Sequence, residues 1–163
     1  LCRAVASSLF LSHGIREDTT CDIMLLGQPH PGRIIRFDGS ALRSLSPDER
    51  NIASSIKRAL AIPAGKTFRE AGPGLLTRKG TLADQLSEKH YAVLDESGVD
   101  IRKVATEELP DAFLLSDNRN FSDDEMELIR DIPKYSLGPA IVHADHAIVL
   151  ILNEIDRRRS GWI

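Results

Sequence analysis

Two hydrophobic patterns alternate along the chain. Short apolar runs fill residues 22–26, 33–37, 91–94 and 112–115. Continuous runs of this length, bounded by turn residues such as Asp38-Gly39, read as strands, and the uninterrupted ones as strands covered on both faces. Between them, apolar residues recur at helical spacing: Ile52, Ile56 and Leu60; Met126, Ile129 and Ile132; and Ala144, Ala147, Ile148, Ile151, Leu152 and Ile155. Each set marks one face of a helix. Residues 1–12 read as a further helix ending at His13-Gly14, 64–74 as a loop, 74–79 as a short strand, and 82–89 as a short helix. A turn is expected at 95–98. A very short strand at 134–137 is broken by Gly138-Pro139, and a long helix spans about 143–158. Two capping boxes fix helix starts: Ser46-Pro47-Asp48-Glu49 with Ser46 as N-cap, and Ser122-Asp123-Asp124-Glu125 with Ser122 as N-cap. Strands alternating with helices predict a single α/β domain with a mainly parallel sheet.

Composition narrows the class. The chain has 163 residues, 42% hydrophobic and 28% charged, which suits one folded domain and not a disordered segment. Its longest apolar stretch, 147–152, is too short to span a membrane, and no signal peptide opens the chain. Cys2 and Cys21 form no metal or redox motif, so the default compartment is the cytoplasm. The chain starts at Leu1 without an initiator Met, and a truncated N-terminus is expected. The net charge of −3 argues against an overall positive coat but leaves a local nucleic-acid patch open.

Open parallel sheets bind ligands beyond the C-terminal ends of their strands. Those ends are Leu94-Asp95, Ser116-Asp117 and Leu137-Gly138. No GxGxxG or phosphate-cradling Gly-Lys-Ser/Thr loop is present, which disfavours a dinucleotide or nucleoside triphosphate site. Gly138 permits close approach and Pro139 stiffens the loop, so neighbouring backbone groups can read a flat heterocycle; an ordinary strand-to-helix turn explains the dipeptide equally well. His143 and His146, three apart at a helix start beside Asp145, could pair on a metal, but no third ligand follows at a suitable spacing, and no metal is expected. Asp117 is either a general base or contact for a bound group, or the cap of its own turn. Arg16 is either a surface ion pair or a phosphate contact. The run Arg157-Arg158-Arg159 complements the last helix's dipole.

Several segments then fall into a familiar order: residues 9–18 (LFLSHGIRED), 45–50 (LSPDER), 113–117 (FLLSD), 136–139 (SLGP), 143–146 (HADH) and 153–156 (NEID). In this order they resemble the archaeal-type tRNA pseudouridine(54) N1-methyltransferase family of the SPOUT superfamily, from end to end. The resemblance implies a SPOUT α/β domain with helices on both sheet faces and a C-terminal deep trefoil knot, a rare topology that general rules would not suggest. It implies S-adenosylmethionine as cofactor, surrounded by Leu94, Ser116, Tyr135, Ser136, Leu137, Gly138, Pro139 and Ala140, with Ala147 close by. It also implies a tRNA substrate and a homodimer built partly on the last helix. The family begins with a strand and a further segment ahead of the position of Leu1. Relatives commonly carry His after the strand-end Asp, where this chain has Asn118.

Pseudouridine exposes an N1–H whose proton must leave as N1 is methylated. Asp117 is the expected acceptor, and Arg3 and Arg16 are the expected phosphate contacts. The alternatives are a related SPOUT enzyme acting on ribosomal RNA pseudouridine, and an RNA- or nucleotide-binding module without catalysis.

Overall fold

The structure, a computed structural model, describes residues 1–29, 31–117 and 119–162. It divides into two compact units, 1–81 and 82–163.

The first unit opens with helix α1 (Cys2–Leu9). The helix stops short of the expected His13-Gly14 because Phe10 and Leu11 leave it as strand β1 (Phe10–Leu11), pairing with β2 (Gly14–Ile15). Strands β3 (Thr20–Leu25), β4 (Arg33–Asp38), β5 (Arg69–Gly72) and β6 (Leu75–Lys79) form a sheet in the order β3-β4-β6-β5. Every pairing in it is antiparallel, which corrects the expectation of a mainly parallel sheet. For β3–β4 and β5–β6 the reason lies in the connections. Residues 26–32 join β3 to β4 and Pro73-Gly74 joins β5 to β6, whereas a parallel crossover needs a dozen or more residues. The apolar run expected to be covered on both faces is an edge strand, with only Ile23 of β3 buried.

Helix α2 (Glu49–Ala61) ends before Pro63 as its pattern predicts, but its N-cap is Asp48 and not Ser46. The Asp48 carboxylate accepts the Arg50 amide at 3.1 Å, a cap that the helix dipole also favours. The Ser46 amide instead donates to Asn51 Oδ1. Val5 and Leu9 of α1, Ile52 and Ala59 of α2, and Ile35 and Phe37 of β4 are fully buried in this unit's core.

The second unit contains α3 (Leu82–Leu86), β7 (Tyr91–Asp100), β8 (Ala112–Leu114), α4 (Asp123–Leu128), β9 (Lys134–Ser136) and α5 (Ala144–Arg159). Its sheet, ordered β8-β7-β9, is parallel throughout. The capping box at Ser122 forms as expected, with Ser122 and Glu125 exchanging side-chain and backbone bonds. α4 then ends earlier than its apolar spacing suggests, and Ile129 is buried as the residue after the helix. Among the described residues no helix is long and apolar enough to cross a membrane.

Candidate functional site

The three strands of the second unit run side by side. Tyr91, Ala92 and Val93 are buried and pair with Ala112, Phe113 and Leu114 of β8. On the other side Val93 pairs with Lys134, and Leu94 with Tyr135 of β9. β8 ends at Leu114, level with Val93 of β7, and β9 ends at Ser136, level with Asp100, the last residue of β7; the C-terminal ends of parallel strands are the position at which such sheets bind ligands. The chain continues from β9 through residues 137–143, outside any helix or strand, into α5.

Ser136 controls the start of that loop. It is buried, and its hydroxyl accepts the Gly138 amide at 3.4 Å while donating to the Gly138 carbonyl at 3.2 Å. Gly138, Pro139 and Ala140 are exposed, Tyr135 and Leu137 half-buried. A Cβ placed on Gly138 would meet nothing within 4 Å, so the loop leaves open space on that side. Ala147, on the first turns of α5, is buried, while Leu94 and Ser116 are half-buried. An exposed loop with its backbone outside the sheet ladder, held by a buried hydroxyl, fits a flat heterocycle read by main-chain groups.

Asp117 follows β8 and is exposed. Its Oδ1 accepts the Arg119 amide at 2.8 Å, and its carbonyl accepts from Asn120, which sits at a φ of 60°. The carboxylate therefore caps its own turn. His143 and His146 lie edge to face, with ring centroids 6.1 Å apart. Among the described residues no group of three or more His, Cys, Asp or Glu could hold a metal.

A family model described as "Putative SAM-dependent RNA methyltransferase" matches residues 1–160. The chain is 49% identical to a tRNA (pseudouridine(54)-N(1))-methyltransferase of Methanocorpusculum labreanum over 97% of its own length and 82% of the relative's. The chain belongs to the tRNA (pseudouridine(54)-N(1))-methyltransferase family. Relatives of the same name from Methanococcoides burtonii and Methanosarcina mazei are 43% and 40% identical, over 99% and 98% of this chain and 83% and 78% of theirs. Among solved structures, Archaeoglobus fulgidus Nep1 bound to S-adenosylhomocysteine superposes with a TM-score of 0.65 at 14% identity, covering 96% of this chain and 70% of that one. At that identity the likeness concerns the fold, which is a mixed α/β fold like that of Nep1.

For this methyltransferase family member, the residues expected at the cofactor all belong to the second unit, as does Asp117. Arg3 and Arg16, the expected phosphate contacts, belong to the first. Arg3 is exposed and lies 4.0 Å from Glu49. Arg16 is half-buried, and its amide donates to the Leu9 carbonyl. Asn118, the departure from the family pattern, lies outside the described residues.

Sequence reasoning missed three features of the second unit. The first is at 95–98. In place of the expected turn ending the strand, β7 runs on through these residues with a bulge, and Leu94 and Val99 both pair with Tyr135. Gly98 lies directly on the β9 backbone: a Cβ there would fall 2.5 Å from the carbonyl carbon and oxygen of Lys134 and 2.6 Å from the Tyr135 nitrogen. Its signal was the glycine closing Asp95-Glu96-Ser97-Gly98, indistinguishable in sequence from any turn glycine. The second is Asp95, whose Oδ1 accepts the Ser97 hydroxyl at 2.5 Å and the Ser97 amide at 2.8 Å, while Oδ2 lies 3.7 Å from Lys134 Nζ. The Ser97 bonds, helped by the Lys134 charge, hold this carboxyl below the usual aspartate range. The third is Arg158. Beyond complementing the α5 dipole, its guanidinium is buried, bonding Glu154 at 2.9 Å and the carbonyls of Ile101 and Val104 at 2.7 Å each.

Proposed function

We propose that this protein transfers a methyl group from S-adenosylmethionine to N1 of pseudouridine 54 in tRNA. The observation that carries the reading is the 49% identity, over 97% of the chain, to a relative named for that reaction. The parallel strand ends with their open 137–143 loop give the reading a place to act.

In this reading Leu94, Ser116 and residues 135–140 hold the cofactor, with Ala147 beneath it on α5. When bound, the cofactor supplies an electrophilic methyl group. The chain's own part is to orient and to move a proton. Ser136 fixes the direction in which Gly138 presents its amide and carbonyl. The exposed Asp117 accepts the N1 proton as the nitrogen becomes the nucleophile. Holding nitrogen and methyl in line supplies the larger part of the rate. Arg3 and Arg16 contribute phosphate contacts. The C-terminal segment forms the SPOUT trefoil knot, and two copies pair through the apolar surface around α5, where Ile141, Val149 and Leu150 are 78%, 51% and 45% exposed. We place the enzyme in the cytoplasm, where its RNA substrate is made, as one SPOUT domain.

The test is methyl transfer to tRNA transcripts that differ only in carrying pseudouridine or uridine at position 54. Transfer to the pseudouridine transcript alone supports the reading. Transfer to ribosomal RNA pseudouridine alone would select the related rRNA activity, and binding without transfer a non-catalytic module.

A further inference from the structure

The net charge of −3 conceals a division between the two units. Residues 1–81 carry twelve Lys and Arg against seven Asp and Glu, a balance of +5; residues 82–163 carry nine against seventeen, a balance of −8. Within the first unit the asymmetry concentrates further. From Arg50 to Ala83 there are seven cationic residues and a single acidic one, Glu70.

The fold brings these cations together. Lys57 and Arg58 lie on the last turns of α2 and are exposed. The loop after α2 is fastened to β6, because the Lys79 amide donates to the Gly65 carbonyl at 2.7 Å; this brings the neighbouring Lys66 to the end of β6 beside Lys79. Arg69 of β5 bonds back to the Pro63 carbonyl at 3.1 Å, and Arg58 lies over Gly72 of the same strand. In the register, Arg33 and Lys79 stand directly opposite each other. Like charges facing each other across a sheet are destabilising, so the pairing itself does not favour a cation at Lys79. Arg33 is buried and has a structural use, donating to the Ala59 and Ile62 carbonyls at the end of α2 and to Thr77 Oγ1. Among the described residues no salt bridge reaches Lys57, Lys66 or Lys79. A shallow concavity of about 250 Å³, lined by Pro29, Pro31, Arg33 and Lys79, opens at the same end of the sheet.

We infer that the surface formed by Lys57, Arg58, Lys66, Arg69 and Lys79 docks the RNA phosphate backbone. Ammonium groups on flexible stems suit a polyanion whose phosphates need neutralising without base readout. The inference rests on the reading of the chain as a tRNA-modifying enzyme. It places the backbone grip on the end of α2 and the β5–β6 hairpin, apart from Arg3 and Arg16.

The experiment compares two double variants of equal net charge. Lys57→Ala with Lys66→Ala removes two cations from this surface; Lys89→Ala with Lys103→Ala removes two exposed cations from the second unit. Binding of a pseudouridine-containing tRNA is measured between low and moderate salt, alongside S-adenosylmethionine affinity. The first pair is expected to weaken tRNA binding about tenfold and to flatten the slope of log K against log salt by about 1.5 to 2, one phosphate contact per lysine. The second pair is expected to change both by much less, and neither pair to change cofactor affinity. Equal losses in the two pairs would show that only net charge matters and overturn the surface, as would no loss in the first. Failure of the unaltered protein to bind any tRNA would overturn the functional reading and the surface with it.

Discussion

The two units solve different problems with similar material. The first is antiparallel, carries an excess of cations, and buries Val5, Leu9, Ile35, Phe37 and Ile52 in its own core. The second is parallel and strongly acidic, and an exposed loop follows its strand β9. The difference teaches where each kind of recognition can be built. Parallel strands present their C-terminal ends on one side, which suits a small ligand held by loop backbone. Antiparallel hairpins leave side chains fanned over a surface, which suits a long polyanion.

The sharpest way to break this comparison is at Asp117. Asp117→Asn retains an oxygen that can accept the Arg119 amide, now at 2.8 Å, so the turn survives while the base is lost. We expect kcat on pseudouridine-containing tRNA to fall by about 100-fold or more, with S-adenosylmethionine affinity unchanged. Undiminished turnover would remove Asp117 from the chemistry and leave it as a turn residue.

A matched pair of glycine variants comes next. Gly98→Ala puts a methyl group 2.5 Å from the Lys134 carbonyl, which the backbone can relieve only by moving β9 and Tyr135. The expected cost is about 1–3 kcal/mol of stability, accompanied by clearly weaker cofactor binding. Gly74→Ala, in the first unit, meets Leu42 N at 2.4 Å and an unfavourable φ of +70°. It is expected to destabilise by a similar amount and leave cofactor affinity unchanged. Thermal unfolding with and without S-adenosylmethionine separates the two. If both variants affect cofactor binding equally, the division of labour between the units is wrong.

Smaller effects test the frame around the site. Ser122→Ala removes the side-chain half of the α4 capping box and should cost about 1 kcal/mol of stability without altering turnover. Asp95 provides a pH signature. Its carboxyl is held below the usual aspartate range chiefly by Ser97, so the folded state binds that proton less readily than the unfolded state. Its contribution is therefore present above about pH 4 and is lost as pH falls through the lowered value. The stability difference between the unaltered protein and Asp95→Asn should shrink on acidification; a difference that grows would contradict the assignment.

The hydrophobic pattern located many of the elements well. The strands at 33–38, 112–114 and 134–136, the second capping box and the closing helix lie close to where their residues placed them. What it could not supply was partnership. An apolar run such as Ile23-Met24-Leu25 records that a strand has something to bury, not which strand lies beside it or in which direction, and β3 is an antiparallel edge. β5 escaped notice because Arg69-Glu70-Ala71-Gly72 has no apolar alternation, and it pairs into the sheet as an edge strand beside β6. Asp48 and Ser46 are both good caps in sequence, and only the entry of the chain into α2 chose between them. At the candidate site the strand ends were legible because parallel sheets place them on one side, whereas the seating of Gly98 on β9 arises from two segments meeting and leaves no local trace.

The most direct test of the central claim is transfer of a labelled methyl group from S-adenosylmethionine to paired tRNA transcripts with pseudouridine or uridine at position 54, using the unaltered protein and Gly138→Trp, which fills the open space beside the loop. The account predicts label in the pseudouridine transcript alone, and its loss together with cofactor binding in the variant. Label in both transcripts, or full cofactor binding and transfer by Gly138→Trp, would contradict it.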